Sequence, residues 1–428
     1  MKKIIVNLLR FAFAAVFIFS GYVKLIDPLG FTYKIKDYLA SFGEFFQMFD
    51  VLAFPAAIAA AAIELIIGIN LLLGIYRKKT TILAILFMAV MTPLTLYIAI
   101  SDSVKDCGCF GDALVISNWE TFWKNIVLDA IIITLFICRN DIIPFLGRKM
   151  RVVAVLYAAI FSVGLSVYCY RHLPLIDFLP YKIGINIPEK KTIPEGAPAN
   201  KYRHIYTCTN KENGEQKNFE YQFPIMIDVK DKTEYDYYEF IENWTLGERK
   251  DELIEKGYEP PIHDFSITTD YDITEDVLED TNYTFLLISY KLEKANMKKS
   301  KQINEIYEFA QKNGYKFYCL NSSSSDDIDD YITESGAKYP MAMTDGTTLK
   351  TIIRANPGLV LLKDGTIYNK WHFNDFPEFN APLETSALGK IQPNQPVKKT
   401  LMAAVVFFVP VLVLIGFRII AVRKKKSK

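Results

Sequence analysis

Asp106-Cys107-Gly108-Cys109-Phe110-Gly111-Asp112 forms a short polar loop between two long apolar runs, 80–100 and 125–138. That setting decides the fold class: the run before the loop reaches the ~20 residues that span a bilayer and a shorter apolar run follows, so the loop lies at a membrane surface. Two thiols separated by one residue can just come within disulfide range. The small ring that would result is strained and easily reduced. Gly108 allows the tight backbone between the sulfurs. Three readings follow for the pair: thiol–disulfide exchange, a static clasp, or a metal site. The last is weak, because no histidine is near and the loop offers only Asp106, Asp112 and the two thiols.

Outward from the loop, the chain divides sharply. Further apolar runs lie at 4–25, 51–75, 152–170 and 401–422, and a mostly polar stretch fills 171–399. The 428 residues carry a net charge of +1, which gives no electrostatic reason to expect nucleic acid as a partner. The class is a membrane protein with one large soluble part, its first partner the lipid bilayer. The 125–138 run is short unless Trp119 and Trp123 mark its outer edge. Lys2-Lys3 precede the first run, but no small-x-small cleavage site follows, so it reads as a retained span. Basic clusters at Lys2-Lys3, Arg77-Lys78-Lys79, the 139–151 stretch and 423–426 fall at alternate ends. They place both termini in the cytoplasm, with the Cys loop and 171–399 outside. In a bacterial inner membrane that compartment is the periplasm, where disulfides persist.

Charges within the apolar runs are the next signal. Glu64 sits mid-run and Lys24 and Asp27 close the first; an intramembrane ionisable group is a functional candidate by default. Glu64 is expected either to pair with Lys24 or to act as a hydrogen-bonded carboxyl. Asp129 lies near enough to the surface to be hydrated. Gly68 and Gly74 read as packing residues, and Pro93 as a kink.

Ser20-Gly21-Tyr22-Val23-Lys24-Leu25-Ile26-Asp27-Pro28, then Glu64 with Gly68, then Cys-Gly-Cys-Phe-Gly, resembles the DoxX/MauE family over about residues 1–140. The resemblance implies a four-helix membrane bundle. It links the chain to quinone-coupled sulfur oxidation on the DoxX side. On the MauE side it points to methylamine utilisation, through maturation of a disulfide-rich periplasmic protein. The Cys loop favours the MauE side. A quinone is the one cofactor the resemblance brings; no motif in the chain assigns any.

In the soluble half, prolines at 174, 180, 188 and 194 mark an extended exit from the fifth run. Residues 202–209 and 216–221 flank Asn213-Gly214 as a hairpin. From 261 the pattern alternates strands and helices: 265–267 opening a sheet, a buried strand at 284–290, a helix at 297–313 ended by Gly314, a strand at 316–320, and a helix at 326–335 with Ser325 as cap and Gly336 as stop. Strands at 359–363 and 366–371 flank Asp364-Gly365. This order, with Ala355-Asn356-Pro357-Gly358, resembles the thioredoxin fold over about 261–375. The resemblance makes Pro357 a cis-proline. One departure is decisive: after 284–290 the chain reads Lys291-Leu-Glu-Lys-Ala-Asn-Met, with no Cys-x-x-Cys. That domain is therefore expected to bind, dock or cover rather than perform dithiol chemistry.

The expected architecture is mixed: an α-helical membrane bundle (1–140), a fifth span (152–170), a linker and hairpin region (171–260), an α/β thioredoxin-like domain outside the cytoplasm (261–380) and a C-terminal span (401–422). The candidate site is Cys107 and Cys109 as the reacting pair, Asp106, Gly108, Phe110 and Gly111 as supporting loop, and Lys24, Asp27 and Glu64 as intramembrane polar groups. Cys169, on the same side, is a candidate resolving thiol, and Cys208 and Cys319 a candidate disulfide. His172, His204, His263 and His372 are too scattered for a metal site. Three functions compete: a redox protein acting on a periplasmic client or redox carrier, a non-catalytic scaffold binding an envelope partner, and a small transporter using Glu64. Whether the chain is an enzyme is left open by its residues; the enzymatic class would be a thiol–disulfide or quinone-linked oxidoreductase component.

Overall fold

The computed structural model describes residues 1–104, 106–255 and 257–391, with 401–403, 405–406, 409–410 and 413 beyond them. The expected 401–422 span and its basic tail fall for the most part outside the described residues. The chain divides into two units, one made of 1–186 and 264–428 and the other of 187–263.

The first unit opens with a helical bundle: α1 (Lys2–Ile26), α2 (Pro28–Ser41), α3 (Ala53–Leu73), α4 (Arg77–Ser101), α5 (Asn118–Ile137) and α6 (Arg148–Arg171). Among the described residues, four helices are long and apolar enough to cross a membrane: Lys2–Ile26, Glu44–Leu73, Arg77–Ser101 and Arg148–Arg171. The fourth expected run is longer than the apolar pattern shows. Ser117 and Glu120 close a capping box that starts α5 at Asn118, so the Trp pair is inside the helix. Its length of 20 residues rises about 30 Å, though Glu120, Lys124 and Asp129 dilute its hydropathy. Asp129 is not simply hydrated: it accepts a 2.8 Å hydrogen bond from Thr92 on α4. Pro93 lies inside the continuous α4.

Helices α1 and α3 pack backbone to backbone. A Cβ at Gly21 would lie 2.7 Å from the Leu65 nitrogen, and one at Gly68 would lie 2.9 Å from the Ile18 nitrogen. Small residues permit this approach where lipid offers no hydrophobic drive. Gly74 does different work, ending α3 in the left-handed region at φ 63°. Asp27 ends α1 and caps α2 by accepting from the Gly30 N–H at 2.9 Å, with Pro28 at the first helical position.

The second unit is an antiparallel sheet. β1 (Lys201–Asn210) and β2 (Gln216–Gln222) form the expected hairpin around Gly214. β3 (Ile225–Asp228), β4 (Glu234–Asp236), α7 (Tyr237–Asn243) and β5 (Trp244–Glu255) complete it in the order β4-β3-β2-β1-β5. Phe219, Phe240 and Trp244 form its core.

The α/β part of the first unit follows: β6 (Tyr283–Ser289), α8 (Ser300–Lys312), β7 (Lys316–Asn321), α9 (Ser325–Ser335), β8 (Met341–Met343), α10 (Gly346–Ile352), β9 (Gly358–Lys363) and β10 (Thr366–His372). The order is β10-β9-β6-β7-β8; β6, β7 and β8 are parallel, while β9 runs antiparallel to β6 and β10 to β9. All seven residues of β6 are buried, the mark of a strand covered on both faces. Two local expectations fail. Residues 265–267 form no strand; Thr268 makes only isolated bridges, to Asp272 and Met343, and Phe265 and Ile267 are core side chains instead. The α9 cap is Ser324, whose hydroxyl accepts from the Asp327 N–H at 3.3 Å, with Ser325 already helical. The Asn356–Pro357 peptide is cis.

Candidate functional site

The Cys loop leaves α4 at Asp102 and reaches α5 by Ser117. Gly108 and Gly111 adopt φ of 59° and 52°, so the chain reverses on either side of Cys109 in a way that a Cβ would strain. The sulfurs of Cys107 and Cys109 lie 3.2 Å apart as thiols. Cys107 is buried and Cys109 is intermediate in exposure.

The bundle holds this loop at several points. Ser20 on α1 donates to the Cys109 carbonyl at 2.6 Å. Lys24, one turn on, donates to the Ser20 hydroxyl at 3.0 Å and to Glu64 on α3 at 2.7 Å. The Lys24–Glu64 pair is 5% and 7% exposed, so the alternative of an unpaired Glu64 carboxyl is not what is found. Breaking a buried pair by removing one partner costs about 3–5 kcal/mol. From α2, the Tyr38 hydroxyl donates to the Cys107 carbonyl and lies 3.7 Å from its sulfur. Lys34 pairs with Asp106 at 2.7 Å, and the other Asp106 oxygen accepts from the Gly108 N–H at 2.9 Å. From α5, the Lys124 ammonium lies 4.4 Å over the Phe110 ring.

These neighbours split the two thiols. The hydrogen bond from Cys107 lowers the Cys109 thiol to about 6; burial opposes the shift, and the Lys124 and Lys24 charges add to it. Cys107 moves the other way, pushed up by the same hydrogen bond and by burial. One sulfur is thus set to be the thiolate while the other keeps its proton, the division that exchange requires.

The sequence-derived residues Lys24, Asp27, Glu64, Asp106, Cys107, Gly108, Cys109, Phe110 and Gly111 come together here although they start on three separated segments. Pro357 does not enter the cluster; its neighbour Arg354 does. Arg354 donates to both Asp27 oxygens, at 3.1 and 2.9 Å, and to Asp112 at 2.9 Å. A cavity of 220 Å³ lies alongside, bordered by Lys24, Phe31, Gly108, Asp112, Lys350 and Arg354. Tyr38, Lys34, Lys124 and Arg354 escaped the sequence reading. A signal existed for Lys34 and Tyr38, which lie four residues apart on the helix that Asp27-Pro28 opens; nothing marks Arg354.

The other cysteines form no disulfide among the described residues. Cys169 is buried in the apolar cluster around Leu25, Ala61 and Leu165. Cys208 and Cys319 are buried in different sheets and form no disulfide. Among the described residues no group of His, Cys, Asp and Glu is arranged to hold a metal ion.

Residues 2–138 match the family model described as Methylamine utilisation protein MauE. The first third of the chain is a MauE-like membrane domain, and the chain is an integral membrane protein. The match ends at the last turn of α5, so α6 and both sheets lie outside the MauE-like domain. No curated protein and no solved structure matches the chain.

Proposed function

We propose that this protein exchanges disulfides through Cys107 and Cys109 on the outer face of a bacterial inner membrane, with a periplasmic protein client or redox carrier as partner. The observation that carries the reading is the 3.2 Å sulfur pair with Lys24 and Lys124 acting on it. The Cys109 thiolate attacks one sulfur of a client disulfide, forming a mixed disulfide and releasing the other client sulfur as a thiolate. Cys107 then gives up its proton and attacks the Cys109 sulfur, expelling the second client thiolate. The client gains two electrons and the pair becomes a disulfide; run backwards, the same steps oxidise a client dithiol. Sustained turnover needs a second two-electron partner, a thiol carrier or a quinone in the bilayer.

In this reading the α/β part is a thioredoxin-like domain without a dithiol, supported by its strand order and the cis Asn356–Pro357 bond. Asn356 occupies the place where such a domain would work, accepting from Ser289 at 2.7 Å and donating to the Lys291 carbonyl at 2.8 Å. That closed strand end favours a second role, docking an envelope partner. Both termini are placed in the cytoplasm and residues 171–399 in the periplasm, on the charge pattern of the loops.

A Cys107→Ser variant tests the exchange. It is expected to accumulate mixed disulfides through Cys109 that a reductant releases. If none accumulate and a Cys107→Ser/Cys109→Ser double variant keeps full function in cells, exchange is wrong and the scaffold reading replaces it. A Glu64→Gln variant with unchanged substrate movement removes the transporter reading.

A further inference from the structure

The Lys24–Cys109 arrangement has a second set of supports three residues further along each of its two chain segments. Asp27 follows Lys24 by three residues, and Asp112 follows Cys109 by three. Both carboxylates converge on one guanidinium, that of Arg354, which is 7% exposed. Its Nε binds Asp27 and its Nη2 binds Asp112, while its Nη1 donates to the Lys350 carbonyl at 2.5 Å. The planar fork of arginine suits such a three-way tie, and a lysine would keep the charge but lose the geometry. Without the guanidinium, Asp27 and Asp112 would lose the one cation they share, and the tie between α1 and the loop would go with it.

We propose that Arg354 is a positioning residue that holds the Cys109 end of the loop against Ser20 and Lys24 by tying Asp27 to Asp112. The inference rests on the exchange reading above, since it concerns the reactivity of the same sulfur. It gives the α/β part a task that needs no thiol: its segment before Pro357 braces the reacting loop of the membrane domain. The groups that act on Cys109 are Cys107 in its own loop, Lys24 on α1, Tyr38 on α2, Glu64 on α3 and Lys124 on α5. Arg354 touches none of them; it fixes where the loop stands among them.

The test is the pH profile of Cys109 alkylation in the full reduced chain, in lipid nanodiscs, read by mass spectrometry of the labelled peptide. The wild type is expected to show a midpoint near 6. Arg354→Gln is expected to raise that midpoint by about one unit and slow labelling at pH 6 about fivefold, through loss of thiolate. Arg354→Lys is expected to fall between the two. A residue that served stability alone would lower the melting temperature and leave the midpoint in place, and that result overturns the proposal; so does a lysine variant that matches the glutamine one. If Arg354→Gln does not fold, Asp112→Asn, which leaves the Asp27 arm, is expected to shift the midpoint upward by less; an unchanged midpoint overturns the proposal equally. A wild-type midpoint in the ordinary thiol range instead removes the exchange reading, and the two failures are thereby distinguished.

Discussion

Cys109 and Cys319 are both cysteines of one folding unit, yet their surroundings drive them apart. Cys319, in the middle of β7, is fully buried among Phe285, Phe317 and Tyr331, and burial alone pushes its thiol up. Cys109 is also desolvated, but a second thiol and two lysines outweigh that cost and bring it down to about 6. Desolvation sets only a baseline; the sign of the shift is decided by which charges and donors the fold delivers to the sulfur. A buried cysteine in a sheet is a small apolar side chain, whereas the loop cysteine has a second thiol and two lysines set against it.

The broadest way to break this contrast is to measure it. With a small alkylating agent at pH 7, Cys109 is expected to label at least about 10³-fold faster than Cys319 in the folded protein; equal rates by peptide mass spectrometry would abolish the distinction. A second test moves the loop toward the sheet by removing a cation. Lys24→Met leaves Glu64 buried without its partner and is expected to cost about 3–5 kcal/mol of stability. A Lys24→Met/Glu64→Gln double variant is expected to recover most of that loss in denaturant titrations in detergent, and no recovery would mean the pair is not the source. The third test addresses the sheet. Asn356→Ala removes bonds to Ser289 and Lys291 and is expected to cost about 1–3 kcal/mol while leaving Cys109 labelling untouched; a change in labelling would show that the strand end communicates with the loop.

The smallest effect is one of pH. Burial lowers His372 from 6.5 to about 4, with Asp375 opposing and His172 adding. Its ring nitrogen accepts from the Asn374 N–H at 3.2 Å, which requires the neutral form. A base held below its unfolded value contributes stability that is complete above about 6.5 and declines as the pH falls towards 4. The melting temperature is therefore expected to drop over that window, and His372→Gln to flatten the drop. The loop is expected to respond differently in acid, with Cys109 losing its thiolate form as the pH falls through about 6.

Much of this molecule was legible in the sequence, for reasons that differ by region. The loop was legible because thiols one residue apart between apolar runs have few meanings, and Lys24 and Glu64 because charge in a membrane span is rare. Strands β6 and β9 were legible because burial on both faces leaves nearly unbroken apolar runs, and β10 because Asp364-Gly365 marks the turn before it. Strand β5 was not, because its residues are largely exposed and charged; only pairing with β1 makes it a strand. The hydrogen bond to Asp129 was not legible because Thr92, its donor, lies 37 positions earlier on another helix. Arg354 was invisible for the same reason at greater range: its partners lie 327 and 242 positions away, and nothing local to it is unusual.

The close contact of α1 with α3 carries one more consequence. Gly21 stands between Ser20 and Lys24 in sequence and against Ala61 and Leu65, either side of Glu64, in space. A single methyl group added there would touch no charge and no sulfur, yet it would force apart the two backbones that set how near Lys24 comes to Glu64. Hydrogen, the smallest possible side chain, is in that sense a spacer that calibrates an electrostatic site: the Lys24–Glu64 distance is set in part by a residue with no chemistry of its own.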